Sequence, residues 1–208
     1  MPLVKTTLEQ DLKNAFSEMK KGGANTNDAY FAQKLAEACK KFGESGTITT
    51  ADAGAVPAGA FTGTGTGSLS LQSSLMEQPL LSACKAMTDA SSGDSILANG
   101  IGNALFAMVS AGKVETNITG TVVSPSGVPS PLAGTGTGTI LCSQSSLISG
   151  LISCFSEMKN KAGEDGYDGD SVFAEKMASL VGSFFKQGAV TVSGTGALAG
   201  SVGSGTMS

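Results

Sequence analysis

The residues able to do chemistry are few. Asp28, Asp94 and Asp170 recur at matching places along the chain. An acidic run, Glu164-Asp165-Gly166-Tyr167-Asp168-Gly169-Asp170, offers oxygens to a hard cation. Three glycine-hydroxyl tails, Gly63-Thr64-Gly65-Thr66-Gly67, Gly134-Thr135-Gly136-Thr137-Gly138 and Gly203-Ser204-Gly205, invite comparison with phosphate-cradling loops. Four cysteines stand at 39, 84, 142 and 154. The chain contains no His and all 13 basic residues are Lys, so an enzyme here, the second reading, would have to act through Asp, Glu, Lys or Ser.

Each candidate weakens when its chemistry is made specific. Without His there is no Ser-His-Asp or Cys-His pair, and the commonest metal ligand is gone. The acidic run departs from EF-hand spacing and lacks the closing Glu at the twelfth position, so it reads as a solvated turn. The tails lack the Gly-Lys-Ser/Thr of a Walker loop and the third glycine of a dinucleotide loop. The cysteines have no CxxC spacing and read as small buried hydrophobes in a reducing compartment. Asp28, Asp94 and Asp170 read as helix N-caps, each accepting from N–H groups of a first turn. Asn117-Ile118-Thr119 fits a glycosylation acceptor, but no secretion signal accompanies it. No metal, cofactor or catalytic residue is expected, and the chain is read as non-enzymatic.

Composition agrees with a structural part. Of 208 residues, 75 are Gly, Ser or Thr. Charged residues make up 14%, against roughly 25% in average domains. With net charge −4 and no Arg, nucleic acid is not an expected partner, since that affinity rests on cations meeting phosphates. No apolar run approaches the roughly 20 residues of a membrane helix. The N-terminus lacks a continuous apolar signal core, so synthesis in the cytoplasm is expected.

Three tandem copies organise the chain, at 1–69, 70–140 and 141–208. Phe16-Ser17-Glu18-Met19-Lys20 returns as Phe155-Ser156-Glu157-Met158-Lys159, with Cys84-Lys85-Ala86-Met87 between. Leu8, Leu12, Phe16 and Met19 form one helical stripe, matched by Leu147, Leu151, Phe155 and Met158. The middle stripe is Met76, Leu80, Cys84 and Met87, with Pro79 read into a first helical turn. A second helix follows each polar loop and closes near Phe42, Met108 or Phe184, ahead of Gly46, Gly112 and Gly188. A short alternating strand comes next. The Pro/Gly-rich stretch after it differs in length between copies and reads as a surface loop or arm.

The tails themselves read as extended segments. Alternation puts every glycine on one face and every hydroxyl on the other. A glycine face lets another backbone approach closely. Gly63, Gly65, Gly67, Gly134, Gly136, Gly138, Gly203 and Gly205 are therefore the expected packing positions, against the next copy or another subunit. The expected fold class is α+β and helix-rich, as three repeats of two amphipathic helices, a short strand and an extended Gly/Thr-rich segment. The middle copy holds only 2 Lys and 4 acids. Such depletion marks interface cores, so this copy is expected to be flanked on both sides or docked on a partner.

The helix pairs leading to a GTGTG-like tail resemble small virion structural proteins of tailed bacteriophages. That resemblance spans the whole chain, taken three times. It implies a non-enzymatic virion component, foremost a capsid decoration or cement protein, with a neck, tail or baseplate part as the variant. Its implied partners are other virion proteins, the major capsid protein or neck and tail subunits, within a symmetric assembly. The implied location is the virion.

Overall fold

The computed structural model describes residues 3–23, 27–88 and 93–208. Each copy contributes two helices and then a β-hairpin. The first supplies α1 (Lys5–Lys20), α2 (Asp28–Ser45), β1 (Ile48–Val56) and β2 (Gly59–Ser70). The second supplies α3 (Ser74–Thr88), α4 (Gly93–Ser110), β3 (Lys113–Val123) and β4 (Pro129–Leu141). The third supplies α5 (Ser145–Lys161), α6 (Gly169–Lys186), β5 (Ala189–Gly194) and β6 (Ser201–Met207), with a 3-10 turn at Gly196–Leu198.

The six strands close into one antiparallel barrel in chain order, β6 pairing back to β1. This overturns the helix-rich α+β repeat expected from the sequence. The strands are not short, and the copies do not carry free arms. The Pro/Gly-rich stretches form the distal halves of the hairpins, and each Gly/Thr tail is the returning strand. The physical reason is the width of the lumen. It places Gly63, Gly65, Gly67, Gly134, Gly136 and Gly138 at inward positions where apolar alternation would ordinarily announce a strand.

Strand register obeys a threefold rule. Within the copies, Ile48 pairs with Gly67, Val114 with Gly138 and Val190 with Gly205. Between the copies, Leu69 pairs with Val114, Ile140 with Val190 and Met207 with Ile48. One circuit of the ladder runs Ser193, Val202, Ala53, Thr62, Thr121, Pro131, yet Ser193 itself pairs with Thr137. The stagger is thus six residues for six strands, a narrow barrel that side chains can fill.

The helices form a second ring. Each touches its chain neighbours, and α6 returns to α1. All helix–strand junctions lie at one mouth of the barrel, because the residues that begin β1, β3 and β5 pair with those that end β2, β4 and β6. Gly46, Gly112 and Gly188 occupy the three equivalent junctions. A Cβ would meet Leu3 at Gly46, Leu69 and Leu71 at Gly112, and Ile140 and Cys142 at Gly188. At Gly46 the backbone is extended (φ −74°), so close packing rather than a left-handed turn fits the glycine there. A single hydrophobic core runs from Leu8, Leu35, Leu80 and Leu151 among the helices to Ile48, Val114 and Val190 inside the barrel.

The amphipathic stripes hold. Leu8, Leu12, Met76, Leu80, Leu147 and Leu151 are buried, and Phe16, Phe155 and Met158 pack partly buried against them. Phe16 stacks on Phe31 at 6.2 Å and meets Phe173 edge-on at 5.7 Å, linking the first copy to the third. Pro79 is the sixth residue of α3 rather than part of its first turn, because the helix begins earlier, at Ser74.

Candidate functional site: the glycine-lined barrel

Gly63, Gly65, Gly67, Gly134, Gly136, Gly138, Gly203 and Gly205 all face the lumen, on β2, β4 and β6. Their packing partners lie within the chain. At the middle levels of the barrel, side chains that enter from odd strands are flanked by glycine on both sides. Thr50 lies between Gly65 and Gly205, Thr116 between Gly67 and Gly136, and Val192 between Gly138 and Gly203. One level further from the helices, Asp52 lies between Gly63 and Gly203, and Ile118 between Gly65 and Gly134.

The tightness is threefold too. A Cβ on Gly67, Gly138 or Gly205 would stand 2.8 Å from the Cα of Thr116, Val192 or Thr50 respectively. Real Cβ atoms do not approach backbone so closely, so any side chain there pushes two strands apart. The GTGTG alternation is thereby explained as the steric demand of a narrow barrel rather than as a phosphate cradle.

The hydroxyl face points outward. Thr62 stands opposite Thr121, Thr64 opposite Thr119 and Thr139 opposite Thr191. Near the helical mouth, Lys113 pairs with Glu115 at 2.7 Å, and this contact holds the Glu115 carboxyl below the usual carboxylate range. A shallow groove of about 330 Å³ runs beside them, lined by Ser68, Glu115, Asn117, Thr135 and Thr137 among others.

One polar group inside the barrel went unremarked in the sequence. Asp52 is 3% exposed. Its Oδ2 accepts a hydrogen bond from the Thr50 hydroxyl at 2.7 Å, and its Oδ1 has no partner. It stands where the second copy has Ile118 and the third Gly194. Period-two counting from the apolar Ile48 places 50 and 52 on the inner face, which is the signal that could have found it.

The three repeated acids are not N-caps. Asn27 caps α2, its side chain accepting from the Tyr30 N–H at 2.8 Å, and Asp28 is the first helical residue. Asp94 is the second residue of α4. Asp168 takes the cap position of α6 without capping its N–H groups, accepting instead from the Ser171 hydroxyl at 2.6 Å. Asp170 sits in the first turn and pairs with Lys20 of α1 at 2.6 Å. The spacing was right by register but one or two residues late. An acid inside the first turn still interacts favourably with the macrodipole.

The acidic run therefore resolves into a cap-position Asp, an interhelical ion pair and exposed side chains. Among the described residues no three His, Cys, Asp or Glu side chains converge to hold a metal. None of the four cysteines forms a disulfide, and all four are buried. Burial pushes the Cys39 and Cys142 thiols up to about 12 and the Cys84 thiol up to about 11. Near the helix ends Lys21 pairs with Glu18, Lys40 with Glu44, and Lys41 with Asp11 of the neighbouring helix. Among the described residues no helix is long and apolar enough to cross a membrane. Comparison with known proteins adds no relative: no family model, no curated protein and no solved structure matches the chain.

Proposed function

We propose that this chain is a non-enzymatic structural component of a bacteriophage virion, foremost a capsid decoration or cement protein. The observation that carries this reading is the pseudo-threefold register of the barrel, repeated at the glycine contacts of 2.8 Å. One chain presents three similar faces about an axis, a shape suited to a threefold or quasi-threefold lattice point. Support also comes from the lumen of the barrel. It is filled by side chains, so it offers no substrate channel. A neck, tail or baseplate part is the nearest variant, since an axial position also suits a threefold object.

Quantitative mass spectrometry of purified particles tests this. Hundreds of copies per particle are expected for decoration, and six, twelve or a similar small number for neck or tail. Absence of the chain from particles would overturn the reading.

A further inference from the structure

Charge is divided unevenly between the two halves of the molecule. The sequence has 30 charged residues, and only Asp52, Lys113 and Glu115 fall in the strand segments 47–73, 112–144 and 188–208. Segments of that combined length would ordinarily carry roughly twenty. Asp52 points inward, and Lys113 and Glu115 neutralise one another beside the helices. The outer wall is otherwise Thr, Ser, Ala, Asn117, the prolines of β4 and a few exposed apolar residues. Val123 is 43% exposed, Val128 61%, Val202 60% and Leu141 66%.

Such a wall discriminates among partners. Phosphates on nucleic acid require Lys or Arg, and the one lysine of the wall is already paired. A lipid-facing barrel is apolar outside, whereas here the apolar side chains line the lumen and hydroxyls face out. Depletion of charge, with apolar residues among small hydroxyls, is the composition of a protein interface core. Six strands about 4.8 Å apart and roughly 25 Å long give some 700 Å² at backbone radius alone. That is close to the roughly 800 Å² contributed by one partner in a standard interface.

We propose that the barrel is the embedded half of the molecule. Its uncharged wall seats in a neutral protein socket on a neighbouring virion protein, and the charged helical ring faces solvent. The socket partner rests on the virion reading above. The complementarity is one of neutrality: a charged socket would lose its hydration against this wall without gaining a counter-charge.

The four buried native thiols make a direct test practical, because an introduced cysteine becomes the reactive one. Thr64→Cys and Thr119→Cys report on the wall, and Gln33→Cys on the helical ring. Maleimide labelling is followed in the purified chain and in purified particles. The expected result is at least tenfold slower labelling of both wall positions in particles, with Gln33→Cys unchanged. The double variant Thr64→Lys/Thr119→Lys, with its melting transition checked, is expected to lose at least tenfold in incorporation. Equal labelling in particles and free chain overturns the proposal while leaving the virion reading intact. Wall protection in the free chain at high concentration makes a second copy the occupant, and protection lifted by detergent or nuclease makes it lipid or nucleic acid. Either outcome overturns the protein socket. Absence of the wild-type chain from particles overturns both readings together.

Discussion

Ile48 and Met207 face each other across the β1–β6 ladder, so the first and last strands of the chain close the barrel. The contact is extended by two 3.0 Å hydrogen bonds between Thr47 and Ser208. Closure removes the sheet edge that an open hairpin array would present. Deletion of 201–208 therefore strips one edge of both β1 and β5 and uncovers Ile48 and Leu198. Loss of a single cooperative melting transition by circular dichroism, with increased aggregation, is expected. A truncated chain that melts as sharply as the full one would show that closure is dispensable.

The lumen glycines give a sharper contrast. Gly138 faces backbone on β5, and its neighbour Thr137 points to solvent. Gly138→Ala is expected to cost about 3 kcal/mol or more, because the obstruction is backbone that cannot rotate away. Thr137→Ala should remain within about 0.5 kcal/mol. Urea denaturation of both variants measures the difference. Equal midpoints would mean the strands can separate without penalty.

How much of this was legible differs from element to element. The helices were, because Leu8, Leu12 and Phe16 keep the 3.6-residue period and that face is buried. The two faces of the tails were also legible, since alternation alone assigns glycines and hydroxyls to opposite sides. The barrel was not. β3 carries β-branched residues in plenty, but β2, β4 and β6 put Gly at successive inward positions such as Gly63, Gly65 and Gly67, so their sequence looks like a tail rather than a strand. Closure depends on pairing Ile48 with Met207, a separation no local pattern records. The cap assignments failed by one or two residues, since Asp28 and the capping Asn27 are equally good signals in sequence. Asp52 was passed over because one acid in a Gly/Ala-rich stretch looks like a loop residue until its register is fixed.

Asp52 bears on stability. A buried carboxylate with one oxygen unpartnered and a single hydroxyl donor is poorly compensated. Asp52→Asn keeps the volume, removes the charge and still accepts from Thr50. A gain on the order of 1–3 kcal/mol is expected. Thermal melting near neutral pH reads it out. A destabilised Asp52→Asn would imply that the carboxylate holds something an amide cannot.

Alkaline pH should weaken the fold through its thiols. Burial raises Cys39 and Cys142 to about 12, from an ordinary value near 9. Between those values the folded chain keeps a proton that the unfolded chain releases. The slope of unfolding free energy with pH follows protons bound when unfolded minus protons bound when folded, and here it is negative. The stabilisation is therefore complete below about pH 9 and declines as pH rises toward 12. The urea midpoint under reducing conditions should fall between pH 8.5 and about 10.5, and Cys39→Ala/Cys142→Ala should flatten that fall while lowering the midpoint at pH 8.5 through lost packing. A fall of unchanged steepness in the double variant would assign the alkaline transition to other groups.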